Sequence, residues 1–289
     1  MDTRQLTFEA IGTQWVIDYI GDKVSKKNTL LQEIMREINA FDVLYSRFRE
    51  DSLISHIATT PGKYPISADG VQLLTLYKQL YDLTNGAFTP LIGNMLADAG
   101  YDASYSFQPK KLQKPPRWED VITLDNSTLI IKNPAILDFG GLGKGYMIDV
   151  IASLLEKHGI QNFCIDAGGD ILYKNHKDVG IDIGLEHPQN FNQVIGVAHI
   201  VNQSICASAG NRRKWSQYHH IMNPHTLSAQ NTVLATWVVA DTTLVADAIA
   251  TCLFFTAPEV LREQFSFEYV IVYPDHTVAK SSNIPVEFY

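Results

Sequence analysis

The segment DFGGLGKGYMID, from Asp138 to Asp149, contains four glycines, one lysine and two aspartates. The residues before it, 135–137, are predicted to end a strand, and residues 145–158 are predicted to form a helix with one apolar face. A glycine loop between a strand and a helix exposes backbone N–H groups at the positive end of the helix dipole. This arrangement favours the binding of an anion such as a phosphate.

Neither of two familiar phosphate-binding motifs matches this segment. A Walker loop has a glycine five residues before its Gly-Lys pair and Ser or Thr after it. In this chain those two positions are Asp138 and Gly145. A dinucleotide-binding GxGxxG motif would need a glycine where Tyr146 stands. On spacing alone, a tight turn that requires the positive φ of glycine is an equally good explanation.

Composition limits the classes of partner. The chain has 289 residues, of which 46% are hydrophobic, and its formal net charge is −8. A negative net charge without a long basic run argues against nucleic acid or an anionic membrane as the main partner. The length suits one domain over residues 1–289, with an arrangement in two lobes as a variant.

Cysteine usage and the N-terminal sequence bear on the cellular compartment. Cys164, Cys206 and Cys252 form no CxxC pair and lie in apolar runs, so buried free thiols are expected. Residues 1–15 show no basic region followed by an apolar one, and no apolar run reaches the length that spans a membrane. We therefore expect a cytoplasmic protein, with an exported form whose leader was removed as the alternative.

Helical and strand patterns are mixed along the chain without strict alternation, which favours an α+β fold. Helices are predicted over residues 29–41, 68–84, 145–158 and 241–255. Strands are predicted within residues 6–20, 121–137, 163–167, 171–173, 194–205 and 270–273.

Short motifs occur in order along nearly the whole chain. They are Ile11-Gly12-Thr13 with Trp15, the turn from Asp51 to Ser55, Gly86-Ala87-Phe88-Thr89-Pro90, the glycine loop, Asp166 to Asp170, His220 to Thr226, and Ala246 to Thr251. Each motif alone is weak, but in this order they resemble the motifs of the ApbE family of flavin transferases.

This resemblance implies a fold and an activity. The fold would have T-fold-like sheets with flanking helices and a cleft between lobes that holds FAD. The activity would be Mg²⁺-dependent cleavage of the FAD pyrophosphate, which releases AMP, with transfer of FMN to a Ser or Thr hydroxyl of an acceptor protein. Family acceptors tend to be flavin-bearing subunits of electron-transfer systems, and the sequence of this chain does not identify its own acceptor.

A magnesium site is predicted at Asp247 and Thr251, which are four residues apart on a predicted helix and so share one face. A carboxylate and a hydroxyl suit a hard cation that keeps several waters and takes few protein ligands. From the residues alone, a turn cap at Asp247 and plain packing of Thr251 remain an alternative. By resemblance, these positions bind Mg²⁺ together with a backbone carbonyl of the glycine loop, assigned here to Gly141 with Gly143 as the alternative.

The resemblance also implies which residues contact FAD. Asp138 and Lys144 flank the glycine loop, and Lys144 is expected to pair with a phosphate. His220, followed by Ile221, matches a family histidine beside the flavin phosphate. It is expected to bind phosphate or relay a proton, because a histidine pKa lies near neutrality. His220 and Asp247 are the predicted catalytic residues. The positions that match the lining of the FAD site are Ile11, Phe48, Ala87, Phe88 and Thr89, for which core packing is the alternative.

Some positions depart from the family pattern. The family has Asp where this chain has Thr89 and Asn223, and Gly where it has Leu227. Fewer carboxylates would weaken contacts with a cation or a ribose hydroxyl. Two alternatives follow: an FAD pyrophosphatase that uses water as the acceptor, and a non-catalytic FAD-binding protein. Because the magnesium pair and the histidine are retained, the transferase is favoured. The role of Asp170 stays open, since a tight turn explains its motif equally well.

Overall fold

The computed structural model describes residues 3–21 and 27–289 of the chain. The helices are α1 Lys27–Tyr45, α2 Leu53–Ile57, α3 Ala68–Leu83, α4 Gly93–Asp98, α5 Trp118–Val121, α6 Gly143–Lys157, α7 Thr243–Cys252 and α8 Pro258–Arg262. The longer strands and hairpins are β1 Thr3–Ala10, β2 Thr13–Ile20, β3 Gly62–Pro65, β4 Ile122–Asp125, β5 Thr128–Ile131, β6 Phe163–Ala167, β7 Ile171–Lys174, β8 Ile181–His187, β9 Asn190–Ile200 and β10 Ser204–Ala209. The remaining strands are β11 Lys214–Trp215, β12 Tyr218–His219, β13 Met222–Asn223, β14 Ser228–Ala229, β15 Ala235–Ala240, β16 Glu268–Val272, β17 Val278–Lys280 and β18 Val286–Phe288.

The largest sheet in the described residues has eight antiparallel strands in the order β1-β2-β6-β7-β10-β15-β16-β17. Its centre is buried on both faces, and every residue of β15 is buried. Val238 on one face belongs to the main core with the helices, whereas Trp237 on the other face packs against the sheet of β8, β9 and β18. Mixed helices and antiparallel sheets confirm the predicted α+β class.

Helices α6 and α7 lie side by side on the large sheet. Asp149 projects from α6, and its carboxylate accepts hydrogen bonds from the backbone N–H groups of Thr243 and Leu244, each at 2.9 Å. A carboxylate at a helix N-terminus satisfies donors that have no partner within the helix and interacts favourably with the helix dipole. This cap therefore fixes the start of α7, and with it the side chains that α7 carries, relative to α6.

Replacing Asp149 with alanine is expected to lower the free energy of unfolding by about 2 kcal/mol, because two backbone donors lose their acceptor. Burial raises the pKa of the Asp149 carboxyl, which offsets part of the gain from the cap. Urea denaturation followed by circular dichroism measures the change. Asp149→Asn keeps one side-chain acceptor and is expected to lose less. A variant Asp149→Ala as stable as the parent would contradict this role.

The sequence located the main helices but not every strand. The helix predicted over 241–255 begins instead at Thr243, because the Thr242 side chain accepts a hydrogen bond from the backbone N–H of Val245. Gly159 ends α6 with φ at +76°, as a C-terminal glycine does. The strand predicted to end at 135–137 is wrong. That segment joins no sheet: the backbone N–H of Ile136 donates to the Asn94 side chain, and that of Asp138, the residue after the segment, donates to the carbonyl of Pro90.

The structure also bears on the cysteines and on membrane spans. Cys206 and Cys252 are buried free thiols, whereas Cys164 is only half-buried. Within residues 3–21 and 27–289, no helix has both the length and the apolar character needed to cross a membrane.

Candidate active site

One cleft, with a cavity of about 580 Å³, collects all the residues that the sequence predicted for the site. They are Ile11, Phe48, Ala87, Phe88, Thr89, Asp138, Gly141, Gly143, Lys144, His220, Ile221, Asp247 and Thr251. The volume falls within the range of roughly 300–1,000 Å³ that is usual for small-molecule sites. A second cavity, of about 370 Å³, lies beside His187 and Phe288 and contains none of these residues. The chemistry of the predicted residues therefore belongs to the larger cleft.

The glycine loop is held in the cleft wall by Asp138. One carboxylate oxygen of Asp138 accepts the backbone N–H of Gly140 at 2.7 Å, and the other accepts Nε of Arg47 at 2.5 Å. The backbone carbonyl of Asp138 accepts the hydroxyl of Tyr77 at 3.0 Å. Since both carboxylate oxygens already bind protein groups, Asp138 organises the loop, and its predicted contact with FAD stays a prediction.

Arg47 is a functional candidate that the sequence reasoning missed. Its side chain is 4% exposed, lines the cleft and donates from Nη1 to the carbonyl of Tyr101 at 2.8 Å. Its Nη2 atom is buried and has no hydrogen-bond partner among the described residues. An arginine in the aromatic segment YSRFRE is the only sequence signal, and it does not reveal the partner 91 residues away.

Aromatic rings line the end of the cleft next to Arg47. The ring of Phe48 lies 4.2 Å from the guanidinium carbon of Arg47 and stacks on Tyr105 with a centroid distance of 5.1 Å. Deeper in the cleft, Phe88 stacks on Tyr77 at 5.1 Å. Flat aromatic walls with an adjacent guanidinium are suited to a planar heterocycle that carries polar edges.

A cluster of charged side chains lies where α6 begins. The ammonium group of Lys144 contacts Oδ2 of Asp170 and lies 3.6 Å from Oδ1 of Asp247. The other oxygen of Asp247, Oδ2, accepts the backbone N–H of Gly145 at 2.9 Å. The Lys144 side chain is thus paired with carboxylates and is only 18% exposed. With one ammonium and two carboxylates, the cluster carries a net charge of −1.

The residues present fit a hard divalent cation. Asp247 is 3% exposed, and its Oδ1 atom accepts no hydrogen bond from the described residues, since the Lys144 ammonium lies 3.6 Å away. Thr251 lies one helical turn further along α7, where its hydroxyl oxygen is 3.1 Å from that of Ser208. Oxygen donors and an uncompensated negative charge are what such a cation needs. No group of three or more His, Cys, Asp or Glu side chains in the described part of the chain forms a metal cluster, so a cation here would keep several waters.

The backbone carbonyls of the two candidate glycines, Gly141 and Gly143, differ in their hydrogen bonding. Gly143 lies inside α6, where a carbonyl accepts the N–H four residues later. Gly141 lies before the helix, and its carbonyl accepts no backbone hydrogen bond from the described residues. A side chain at Gly141 would come within 2.8 Å of the Phe88 ring, so the loop is pressed against the aromatic wall. Gly141 therefore remains the better candidate for a cation ligand.

His220 differs from the sequence expectation. The residue is half-buried, but its Nδ1 atom is fully buried and has no hydrogen-bond partner among the described residues. Burial is the main cause that lowers the pKa of His220 to about 3, and the positive charge of Arg213 adds to the effect. The expected pKa near neutrality is therefore wrong for the unliganded protein, in which the ring is neutral at pH 7.

NMR spectra of His220 in the unliganded protein are expected to show no titration between pH 8 and pH 5. The reason is that a lowered pKa moves protonation to more acidic solution. A phosphate ligand beside the ring would favour the protonated form, so added FAD is expected to raise this pKa. The variant His220→Gln assigns the resonance by its disappearance. A titration step near pH 6.5 in the absence of FAD would contradict the burial of this ring.

The departures from the family pattern fall at turns. Thr89 accepts the backbone N–H of Leu91 at 3.1 Å and so caps a short turn, a task that aspartate also performs. Asn223 accepts the backbone N–H groups of His225 and Thr226. Leu227 has φ at +54°, a conformation in which glycine is less strained. These residues form turns in the unliganded protein, which weakens the reason for regarding the site as non-catalytic.

The cleft contains more basic side chains than the sequence predicted. Arg212 and Arg213 also line the cleft, and Arg212 pairs with Glu186 at 2.8 Å. With Arg47 and Lys144 they place four cationic side chains in the cleft, and three of these, Arg47, Lys144 and Arg212, pair with carboxylates in the described structure. Both arginines lie only a few residues before His220 along the chain, but no role in the site was predicted for them from the sequence.

Comparisons with known proteins show the family of the chain. The family model of the ApbE family matches residues 11–269. A protein of Haemophilus influenzae named FAD:protein FMN transferase is 26% identical, with 96% of this chain and 89% of the relative covered. One of Vibrio cholerae with the same name is 26% identical, covering 88% of this chain and 81% of the relative.

Solved structures show the same fold. The crystal structure of the ApbE protein from Thermotoga maritima superposes with a TM-score of 0.81 at 22% identity, with 97% of each chain covered. The flavin transferase ApbE from Vibrio cholerae superposes with a TM-score of 0.78 at 23% identity, again with 97% of each chain covered.

Proposed function

We propose that this chain, which belongs to the ApbE family, transfers FMN from FAD to a Ser or Thr hydroxyl of an acceptor protein and releases AMP. Relatives at 21–26% identity across most of the chain are named FAD:protein FMN transferase. The observation that carries the proposal is the convergence of the glycine loop, Lys144, Asp247 and His220 in one cleft beside an aromatic wall.

The cleft has separate features for the parts of a flavin dinucleotide. The aromatic wall with Phe48 and Phe88 suits a ring system. The start of α6 offers the positive end of a helix dipole to the pyrophosphate, although the backbone N–H groups of Gly143 and Gly145 already bind Phe139 and Asp247. Lys144 lies in this first turn, so its ammonium can reach a phosphate oxygen once it leaves Asp170.

Magnesium dependence is part of the proposal. Asp247, Thr251 and the carbonyl of Gly141 would hold the cation. When bound, Mg²⁺ supplies positive charge that stabilises the negative charge on the pyrophosphate oxygens. Asp247 is rigidly placed for this role, because Gly145 donates to one of its oxygens while the other is left for the cation.

The transfer itself balances without a further reagent. The acceptor oxygen forms a bond to the phosphorus of the FMN moiety as the P–O bond to the AMP moiety breaks, and AMP leaves with that electron pair. The acceptor hydroxyl must lose its proton. His220 is neutral at pH 7 and so has a ring nitrogen that can take this proton, and an anionic phosphate beside it would raise its pKa towards a useful value.

The test is to incubate the protein with FAD, Mg²⁺ and a panel of candidate acceptor domains. Fluorescent flavin on an acceptor in a denaturing gel, with AMP released in equal amount, is the expected result. Its matched control is the same acceptor with the labelled Ser or Thr changed to Ala. Free FMN formed rapidly without an acceptor would instead establish an FAD pyrophosphatase. Bound FAD that stays intact under all conditions would establish a flavin-binding protein.

A further inference from the structure

Asp170 is a buried charge for which the proposed reaction has no task. It follows the turn of Gly168 and Gly169, lies directly before β7 and is 2% exposed. Its Oδ1 atom accepts the backbone N–H of Ala207 at 3.3 Å, and its own carbonyl accepts the N–H of Ala167 at 2.9 Å. The sheet thus holds this carboxylate in place, and its remaining oxygen, Oδ2, meets the ammonium group of Lys144.

The same ammonium group has a second carboxylate within reach. Lys144 lies 3.6 Å from Oδ1 of Asp247, which is an ion-pair distance but longer than a direct hydrogen bond. The two carboxylates therefore share one cation unequally, with the closer contact at Asp170. Lys144 sits on the side of Asp247 where its free oxygen lies, so a full ion pair there would compete with a metal cation for the same atom.

We propose that Asp170 is a positioning residue that holds the Lys144 ammonium away from Asp247 and so leaves Asp247 free to bind a divalent cation. The inference rests on the proposed function only in taking Asp247 as a cation ligand. Without the negative charge at 170, Lys144 has Asp247 as its remaining carboxylate partner. The ammonium then neutralises Asp247 and repels an incoming cation.

This charge relation predicts a rescue that a purely structural role does not. In Asp170→Asn, cation affinity is expected to fall about 10-fold, as when an outer-shell partner of a metal ligand is lost. Adding Lys144→Met to that variant removes the competing ammonium, and cation affinity is expected to return to within about 3-fold of the parent. If Asp170 served only to shape the turn, a second change at Lys144 would restore nothing.

The experiment measures Mn²⁺ binding by electron paramagnetic resonance, in the absence of FAD and acceptor, on the intact chain. The proteins are the parent, Asp170→Asn, Lys144→Met and the double variant. Asp166→Asn is the matched control, because Asp166 accepts the backbone N–H of Gly169 in the same turn at 2.8 Å but makes no contact with Lys144 among the described residues. It is expected to bind Mn²⁺ like the parent. Circular dichroism checks that each variant is folded.

Weak binding in Asp170→Asn with recovery in the double variant supports the positioning role, whether or not flavin transfer is found. Parent-like binding in Asp170→Asn, or a double variant as weak as Asp170→Asn, overturns it. A parent protein that binds no Mn²⁺ also overturns it. Failure of FMN transfer alone, with this order of affinities intact, counts against the proposed function and not against the role of Asp170.

Discussion

Asp247→Asn is expected to lower the rate of FMN transfer by a factor of about 10³, while leaving the protein folded and able to bind FAD. The substitution keeps the shape of the side chain and one oxygen, so the hydrogen bond from the backbone of Gly145 can persist. What it removes is the negative charge that faces the proposed cation. The charged cluster with Lys144 and Asp170 then becomes neutral and loses its attraction for a divalent ion.

Single-turnover assays with FAD and an acceptor measure the rate, and fluorescence quenching of FAD measures binding. Asp241→Asn is the matched control, because Asp241 is an exposed carboxylate just before the same helix and does not line the cleft. It is expected to react like the parent. If Asp247→Asn retains more than a tenth of the parental rate at saturating Mg²⁺, the carboxylate is not the cation ligand that the mechanism needs.

The sequence predicted the membership of the site better than its internal contacts. Asp247 and Thr251 share a helix, so their common face follows from local spacing. Lys144 lies on α6, and Asp170 lies beside β7, 26 residues further along the chain. Only the packing of α6 on the sheet brings the two side chains together. Spacing and composition contain no information about that pairing, which is why the role of Asp170 stayed open.

Arg47 was missed for a similar reason. A charged residue between aromatic residues is normally expected at the surface, with its head group in water. Here the cleft wall buries the guanidinium, and Asp138 from the distant glycine loop provides the counterion at 2.5 Å. The lowered pKa of His220 also could not be read from the residue type, because it results mainly from burial in the folded chain.

At the level of the fold, periodicity predicted helices more reliably than strands. The apolar pattern of α6 survives in the structure because Ile148, Ile151 and Leu155 all face the core. The segment 135–137 is apolar and buried in part, as a strand would be, yet the backbone N–H of Ile136 donates to the Asn94 side chain instead of to a neighbouring strand. An apolar run reports burial, and the partner of its backbone groups depends on neighbours that lie elsewhere in the chain.

The largest expected loss of stability comes from Gly145→Ala, which is expected to lower the free energy of unfolding by about 3 kcal/mol. An alanine Cβ at this position would overlap the carbonyl oxygen of Thr243 and lie 2.7 Å from Cβ of Asp247. Both neighbours belong to α7, and a backbone carbonyl inside a capped helix cannot move aside cheaply. The two helices must therefore separate, which also disturbs the hydrogen bond from Gly145 to Asp247.

The expected change has the opposite sign to the usual one, because replacing glycine with alanine inside a helix normally raises the free energy of unfolding by about 0.5–1 kcal/mol. Urea denaturation measures the change, and Mn²⁺ binding reports the displacement of Asp247. Gly143→Ala in the same helix is the graded comparison, because its new Cβ meets only the end of the Phe41 ring, at 3.0 Å. It is expected to cost less than half as much. A Gly145→Ala protein at least as stable as the parent would show that α6 and α7 can separate without strain, and the tight contact would then not be what holds Asp247 in the cleft.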